Sequence, residues 1–149
     1  MRIFITALIT PIATSFLFST NAAAECQGSQ NLPSQQFFVI FSPNSHEISK
    51  SERIRIGRWV SAMNSKYPIQ NWIDIIGSAS KNETDPAQIA TKRASATAKV
   101  VIDDGLINAP LQIKTQIYPT NSTTESTPET REVTVQVSPG CPDNCCTGH

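Results

Sequence analysis

Apolar runs and helical spacings alternate along this chain from residue 37 onward. Phe37-Phe38-Val39-Ile40-Phe41 is a short run of aromatic and β-branched residues, the composition of a buried strand. Ser42-Pro43-Asn44-Ser45 stops it. Ser49-Lys50-Ser51-Glu52 then matches a capping box, in which the serine hydroxyl takes an N3 amide and the glutamate reaches back to the cap amide. Beyond it, Ile56, Trp59, Val60 and Met63 recur at helical spacing. Tyr67-Pro68 ends this helix, because the residue before proline disfavours helical dihedrals.

A second strand is predicted over 71–78, where Trp72-Ile73-Asp74-Ile75-Ile76 is apolar enough to sit in a sheet covered on at least one face. Thr84-Asp85-Pro86 starts the second helix, with Asp85 as N-cap and proline at the first helical position. That helix runs to Asp104, and Gly105 stops it. Ala87, Ala90, Ala94, Ala98 and Val101 line one face at steps of three and four, small enough for close approach to a sheet. Residues 111–117 largely alternate and predict a half-buried strand. Residues 120–130 are a polar Ser/Thr/Glu/Pro loop, and 132–137 alternate again as a last strand. The order β-α-β-α-β-β, with both helices on one face, implies an α+β fold, an α/β sandwich.

The N-terminus reads differently. Arg2 precedes an apolar stretch from Ile3 to Phe18, followed by the small-residue exit Ser19-Thr20-Asn21-Ala22-Ala23-Ala24. This is the pattern of a secretory signal peptide cleaved after Ala24. A membrane anchor fits less well, given Pro11 and the small-residue exit. No later segment reaches the roughly 18 apolar residues that a spanning helix needs. The expected division is signal peptide 1–24, a loose arm 25–36, a domain 37–137 and a cysteine-rich tail 138–149. Export places the mature chain outside the cytoplasm.

Charge adds an exclusion. Cleavage removes one of the 12 basic residues, Arg2, and none of the 12 acidic ones. A near-neutral chain has no electrostatic footprint for nucleic acid. The basic residues Arg53, Arg55, Arg58 and Lys66 are read as a solvated face of the first helix. The four cysteines, Cys26, Cys141, Cys145 and Cys146, all lie in the mature part. In an oxidising compartment an even count reads as disulfides, with the pairing open. A bond from Cys26 to a tail cysteine would pin the arm to the tail. Three thiolates and His149 could in principle hold zinc, but their spacing fits no zinc motif. No metal and no cofactor are expected. His46 beside Glu47 reads as solvated loop, and no Ser/His/Asp or Cys/His nucleophile arrangement is visible. The chain is read as non-catalytic.

Four segments carry a family resemblance. Phe38 to Ser42 ends the first strand; Gly77-Ser78-Ala79-Ser80 ends the second. Ile89-Ala90-Thr91-Lys92-Arg93-Ala94 lies on the second helix, and Thr130-Arg131-Glu132-Val133-Thr134 opens the last strand. Over residues 37–137 the chain resembles the OmpA-like C-terminal domain family, the peptidoglycan-associating module of Gram-negative periplasmic proteins. Its members show Phe-x-x-x-Ser, Gly-His/Tyr-Thr-Asp, Leu-Ser-x-x-Arg-Ala and Asn-Arg-Arg-Val-Glu at these joints. The resemblance implies a mixed four-stranded sheet with the helices on one face. It also implies a periplasmic location and a clamp on diaminopimelate of the peptidoglycan stem peptide.

The clamp residues are only partly present. The helix arginine matches Arg93 and the first strand arginine matches Arg131. The family aspartate is Ser80, the asparagine before the helix is Pro86, and the second arginine is Glu132. The spacing from Ser80 to Arg93 is about two residues shorter than the family pattern. An arginine fork suits the ligand carboxylate and an acid suits its ammonium. Asp85 or Glu83, in the same loop, are the candidates to replace the missing aspartate. Asp85 also reads as a plain N-cap, Arg93 as a structural ion pair, and Arg131 as a solvated strand-edge charge. Two functions follow from the resemblance. One is non-catalytic binding of peptidoglycan through Arg93, Arg131, Ser80 and Asp85. The other is a protein–protein subunit of an envelope assembly that has lost that ligand.

Overall fold

A computed structural model describes residues 28–119 and 127–146. The expected signal peptide, Cys26, residues 120–126 of the polar loop and His149 lie outside the described residues. Strands β1 (Gln35–Ile40), β2 (Gln70–Ser80), β3 (Leu111–Tyr118) and β4 (Glu132–Pro139) form one sheet, in the order β1-β4-β2-β3. Helix α1 (Lys50–Lys66) connects β1 to β2, and α2 (Pro86–Asp103) connects β2 to β3. β4 runs antiparallel between β1 and β2, while β2 and β3 are parallel. A parallel neighbour needs a crossover connection, and α2 supplies it. The sheet is therefore mixed and the class α+β, as the order of apolar segments implied.

One face of the sheet makes the core. Val39, Ile73, Ile75, Val133, Val135 and Val137 meet Ile56, Val60 and Met63 of α1 and Ala94, Ala98 and Val101 of α2. The alanine face of α2 has a counterpart in Gly77 of β2. A Cβ at Gly77 would collide with the Ala90 carbonyl oxygen and stand 2.8 Å from the Ala94 Cβ. Glycine there lets the helix lie directly on the sheet. Ala87, expected on that face, is exposed, because α2 has only just left its cap at that point.

The helix ends follow local chemistry. The Glu52 amide donates to the Ser49 hydroxyl at 3.2 Å, capping α1. The reciprocal half of the capping box is replaced. Glu52 takes Arg55 at 2.6 Å and the Ile40 amide at 3.4 Å, tying the helix start to β1. Tyr67 caps the far end. Gly105, at φ 97, turns the chain out of α2 in the left-handed region that favours glycine.

Two expectations are corrected. β3 is not half-buried: its residues 112–117 are all exposed, including Ile113 at 47% and Ile117 at 40%. It alternates as a strand does, but it lies at the sheet edge, where no outer strand covers it among the described residues. The arm is not loose over its described part. The Leu32 amide donates to the Pro139 carbonyl at 2.9 Å, and the Cys146 amide to the Ser29 carbonyl at 2.8 Å. Asn71, at an irregularity in the β2–β4 register, adds bonds to the Gln30 carbonyl and to the Asn31 side chain. The arm thus runs antiparallel along the tail. No described helix is long and apolar enough to cross a membrane.

Candidate functional site

The site forms where two loops meet at the carboxyl ends of β1 and β2. Residues 41–49 lead from β1 into α1, and residues 81–85 lead from β2 into α2. Asn44 locks the first loop to the second. Its backbone adopts φ 53, a conformation that asparagine tolerates better than most residues. Its amide then donates to Glu83 Oε1 at 2.7 Å, and its side-chain Oδ1 accepts from the Thr84 amide at 2.7 Å.

Arg93, two turns into α2, points beneath these loops and is fully buried. Every guanidinium N–H has an acceptor. Nε donates to the Ser45 carbonyl at 2.8 Å. Nη1 donates to the Ser78 carbonyl at 3.0 Å and to Glu83 Oε2 at 2.7 Å. Nη2 donates to the Ser42 carbonyl at 3.1 Å and to Glu83 Oε1 at 2.5 Å. The Phe41 ring lies 5.5 Å from the guanidinium carbon. A buried charge is tolerated only when it is paired and its hydrogen bonds are filled, and both conditions are met here.

Glu83 is the matching half. It is 8% exposed, and its two oxygens take the two ends of the arginine fork. The Ser80 amide adds a bond to Oε2 at 3.1 Å. Burial by itself pushes the Glu83 carboxyl up. The hydrogen bonds from Arg93, Asn44 and Ser80, with the Arg93 charge, outweigh that and hold it below its ordinary value of 4.5. Glu83 is therefore an anion at neutral pH.

The sequence-predicted residues separate into two groups. Ser80 and Arg93 meet through Glu83. Ser80 is buried, and its hydroxyl accepts from the Asn82 amide at 3.3 Å to shape the turn that delivers Glu83. Arg131, half-buried at the end of a 3-10 turn (Pro128–Arg131), stands beside them. Its Nε donates to the Phe41 carbonyl at 3.4 Å, so Phe41 touches both arginines. Asp85 is exposed and caps α2, accepting from the Gln88 amide at 3.2 Å.

Sequence reasoning weighed Glu83 only as a substitute for an aspartate facing a ligand. It missed Asn44 and the carbonyls of Ser42, Ser45 and Ser78. Backbone acceptors carry no side-chain signature, and only Asn44, beside Pro43, carries a turn signal. In the tail, Cys141 and Cys146 are joined, with their Cα atoms 5.1 Å apart, and Cys145 is also in a disulfide. Among the described residues no His, Cys, Asp and Glu side chains are grouped to hold a metal ion.

No family profile and no curated protein sequence matches the chain. Solved structures do. The C-terminal domain of Helicobacter pylori MotB superposes with a TM-score of 0.56 at 19% identity, covering 72% of this chain and 88% of that one. The peptidoglycan-associated lipoprotein of Burkholderia pseudomallei gives 0.54 at 16% identity, over 67% and 88%. The OmpA-like domain of FopA1 from Francisella tularensis subsp. tularensis SCHU S4 gives 0.52 at 20% identity, over 72% and 73%. The likeness is one of architecture, and on it the chain has the OmpA-like fold.

Proposed function

We propose that this chain is an exported, non-catalytic module of the cell envelope that uses the OmpA-like fold for contact with a protein partner. The reading of export rests on the N-terminal pattern of Arg2, the apolar stretch and the Ala22-Ala23-Ala24 exit. The fold of its structural neighbours supports an envelope role.

One observation carries the choice of partner: the two-point pair between Arg93 and Glu83. The resemblance assigns the arginine fork to the carboxylate of diaminopimelate. Here Glu83 supplies a carboxylate of the chain's own, and the remaining donors go to backbone carbonyls. An incoming carboxylate must displace Glu83 and leave that acid without its counter-charge. Breaking one side of a buried pair costs about 3–5 kcal/mol. That is a loss of roughly a hundredfold or more in affinity. The contact surface is then elsewhere. The disulfide-bonded tail and the turn at 128–131 are exposed in part, and Phe38 and Ile40 of β1 are 42% and 44% exposed.

The runner-up is binding of peptidoglycan after Glu83 swings out. The gathering of Ser80, Arg93 and Arg131 favours it, because these are positions that the resemblance assigns to the ligand: Glu83 joins the first two, and Phe41 touches both arginines.

Co-sedimentation of the oxidised mature protein with diaminopimelate-type peptidoglycan separates the two. The expected result is that the protein stays in the supernatant. After native extraction it co-fractionates with an envelope assembly much larger than one chain. Sedimentation that free diaminopimelate competes away would overturn the protein-contact reading in favour of the wall.

A further inference from the structure

The edge strand β3 has a property the arginine site does not explain. It is eight residues long, lies outermost in the sheet and exposes two isoleucines on the helix side, in register with core positions Ile75 and Ala79. Proteins usually guard such an edge with charge, proline or cover. At the opposite edge, β1 has its last amide taken by Glu52 of α1. On β3 the one charge is Lys114, and Asp74 of β2 holds its ammonium at 2.6 Å.

We propose that β3 pairs antiparallel with β3 of a second copy of this chain, about a two-fold axis at Thr115. The Ile73 amide donates to the Pro110 carbonyl, and the Lys81 amide to the Tyr118 carbonyl, both at 2.9 Å. Even-numbered residues of β3 therefore bond toward β2. Residues 111, 113, 115 and 117 turn their amides and carbonyls outward, as alternate residues of a strand do. In an antiparallel ladder, residues that exchange both bonds lie directly opposite each other, so outward residues must face outward residues.

Centring on Thr115 meets that condition for residues 113, 115 and 117, and leaves Pro119 opposite Leu111 only at the end of the ladder. Ile113 faces Ile117 of the second copy, Thr115 faces its own counterpart, and the four isoleucines meet on one face. On the other face Lys114 lies opposite Gln116 of the second copy, so no like charges are opposed. The neighbouring registers are worse. Centring on Lys114 sets two ammonium groups opposite each other, which destabilises a sheet pair. Centring on Gln116 moves Pro119, which has no N–H to give, in from the end of the ladder to face Ile113. The strand is thus self-complementary about Thr115, as an isologous two-fold interface requires. The inference is independent of what the arginine site binds.

Light scattering on the eluting oxidised mature protein tests it. At about 100 μM, where micromolar affinities are saturated, the expected mass is twice that of the chain. Thr115→Pro deletes the central outward amide without removing a bond to β2, a position where edge strands accept proline. It should elute as a monomer with an unchanged circular-dichroism spectrum. Ile113→Lys, at an exposed position, should do the same and covers the case in which the proline variant misfolds. A wild type that stays monomeric at that concentration, or a dimer that survives both variants, would overturn the proposal.

Discussion

Arg93 and Glu83 face each other as a closed two-point pair, Nη2 to Oε1 at 2.5 Å and Nη1 to Oε2 at 2.7 Å, under the two loops of the candidate site. They lie ten residues apart, on either side of the α2 cap at Asp85. Pairing across the cap fixes where the 81–85 loop sits on the sheet. The bonds from Arg93 to Ser42 and Ser45 fix the other loop to it. The pair is structural in that sense whatever the site contacts.

Removing the cation should be severe. Arg93→Ala leaves the buried Glu83 carboxylate without its counter-charge and removes the arginine's bonds to three carbonyl oxygens, and an unpaired buried charge costs about 3–5 kcal/mol. Urea unfolding followed by circular dichroism reads this as a large drop in midpoint. A drop comparable to that of an exposed substitution such as Lys92→Ala would count against the pair as a structural element.

The pair should also mark the acid side of the stability curve. A carboxyl whose folded value is depressed contributes stability above its unfolded value, and loses it as pH falls through the folded value. Glu83 contributes in full above 4.5, its ordinary value, and progressively less below. Glu83→Gln should therefore be less stable than wild type at neutral pH, with the gap narrowing as the pH drops below that point. Glu132 titrates in both proteins, raised by burial and then by the Glu129 charge, so it cancels in the difference. Unfolding midpoints that stay parallel to the acid end of the series would refute the assignment.

Gly77 should tolerate no side chain. Gly77→Val forces carbon into the Ala90 carbonyl and the Ala94 methyl, so α2 must lift from β2. Overpacking of this kind costs about 1–3 kcal/mol or more. Differential scanning calorimetry should show a melting temperature lower by several degrees. An unchanged melting temperature would mean that the helix is not seated as closely as described.

Peptide mapping of the oxidised mature protein should find Cys141 linked to Cys146. Cys145 is disulfide-bonded as well, and Cys26 is the one cysteine left to take it. A Cys26–Cys145 peptide is the expected second product. It would hold the arm to the tail over a loop of more than a hundred residues, for up to about 4–5 kcal/mol in the chain-entropy model. Recovery of Cys26 as a free thiol would remove it.

Most of the elements were legible because their signals are local. The Ser49 cap, the Tyr67-Pro68 stop, the Asp85-Pro86 start and the Gly105 exit each act within a few residues, and each holds in the structure. The alternation of β4 reads as a last strand, and its Val133, Val135 and Val137 are buried. The same kind of alternation in β3 was misread. Periodicity reports that one face differs from the other, but not whether a neighbour covers it.

What the sequence alone determined is therefore the order of strands and helices, the helix ends, and which side chains could form a core. Those follow from dihedral preference and from hydrophobic spacing, which act along the chain. Tertiary structure decided that β4 enters between β1 and β2, leaving β3 at the edge. It also decided that Arg93 meets Glu83, under an Asn44 turn about forty residues earlier in the chain. An arginine and a glutamate in sequence have no preferred partner. Burial in one small space, where neither charge is tolerated alone, is what pairs them.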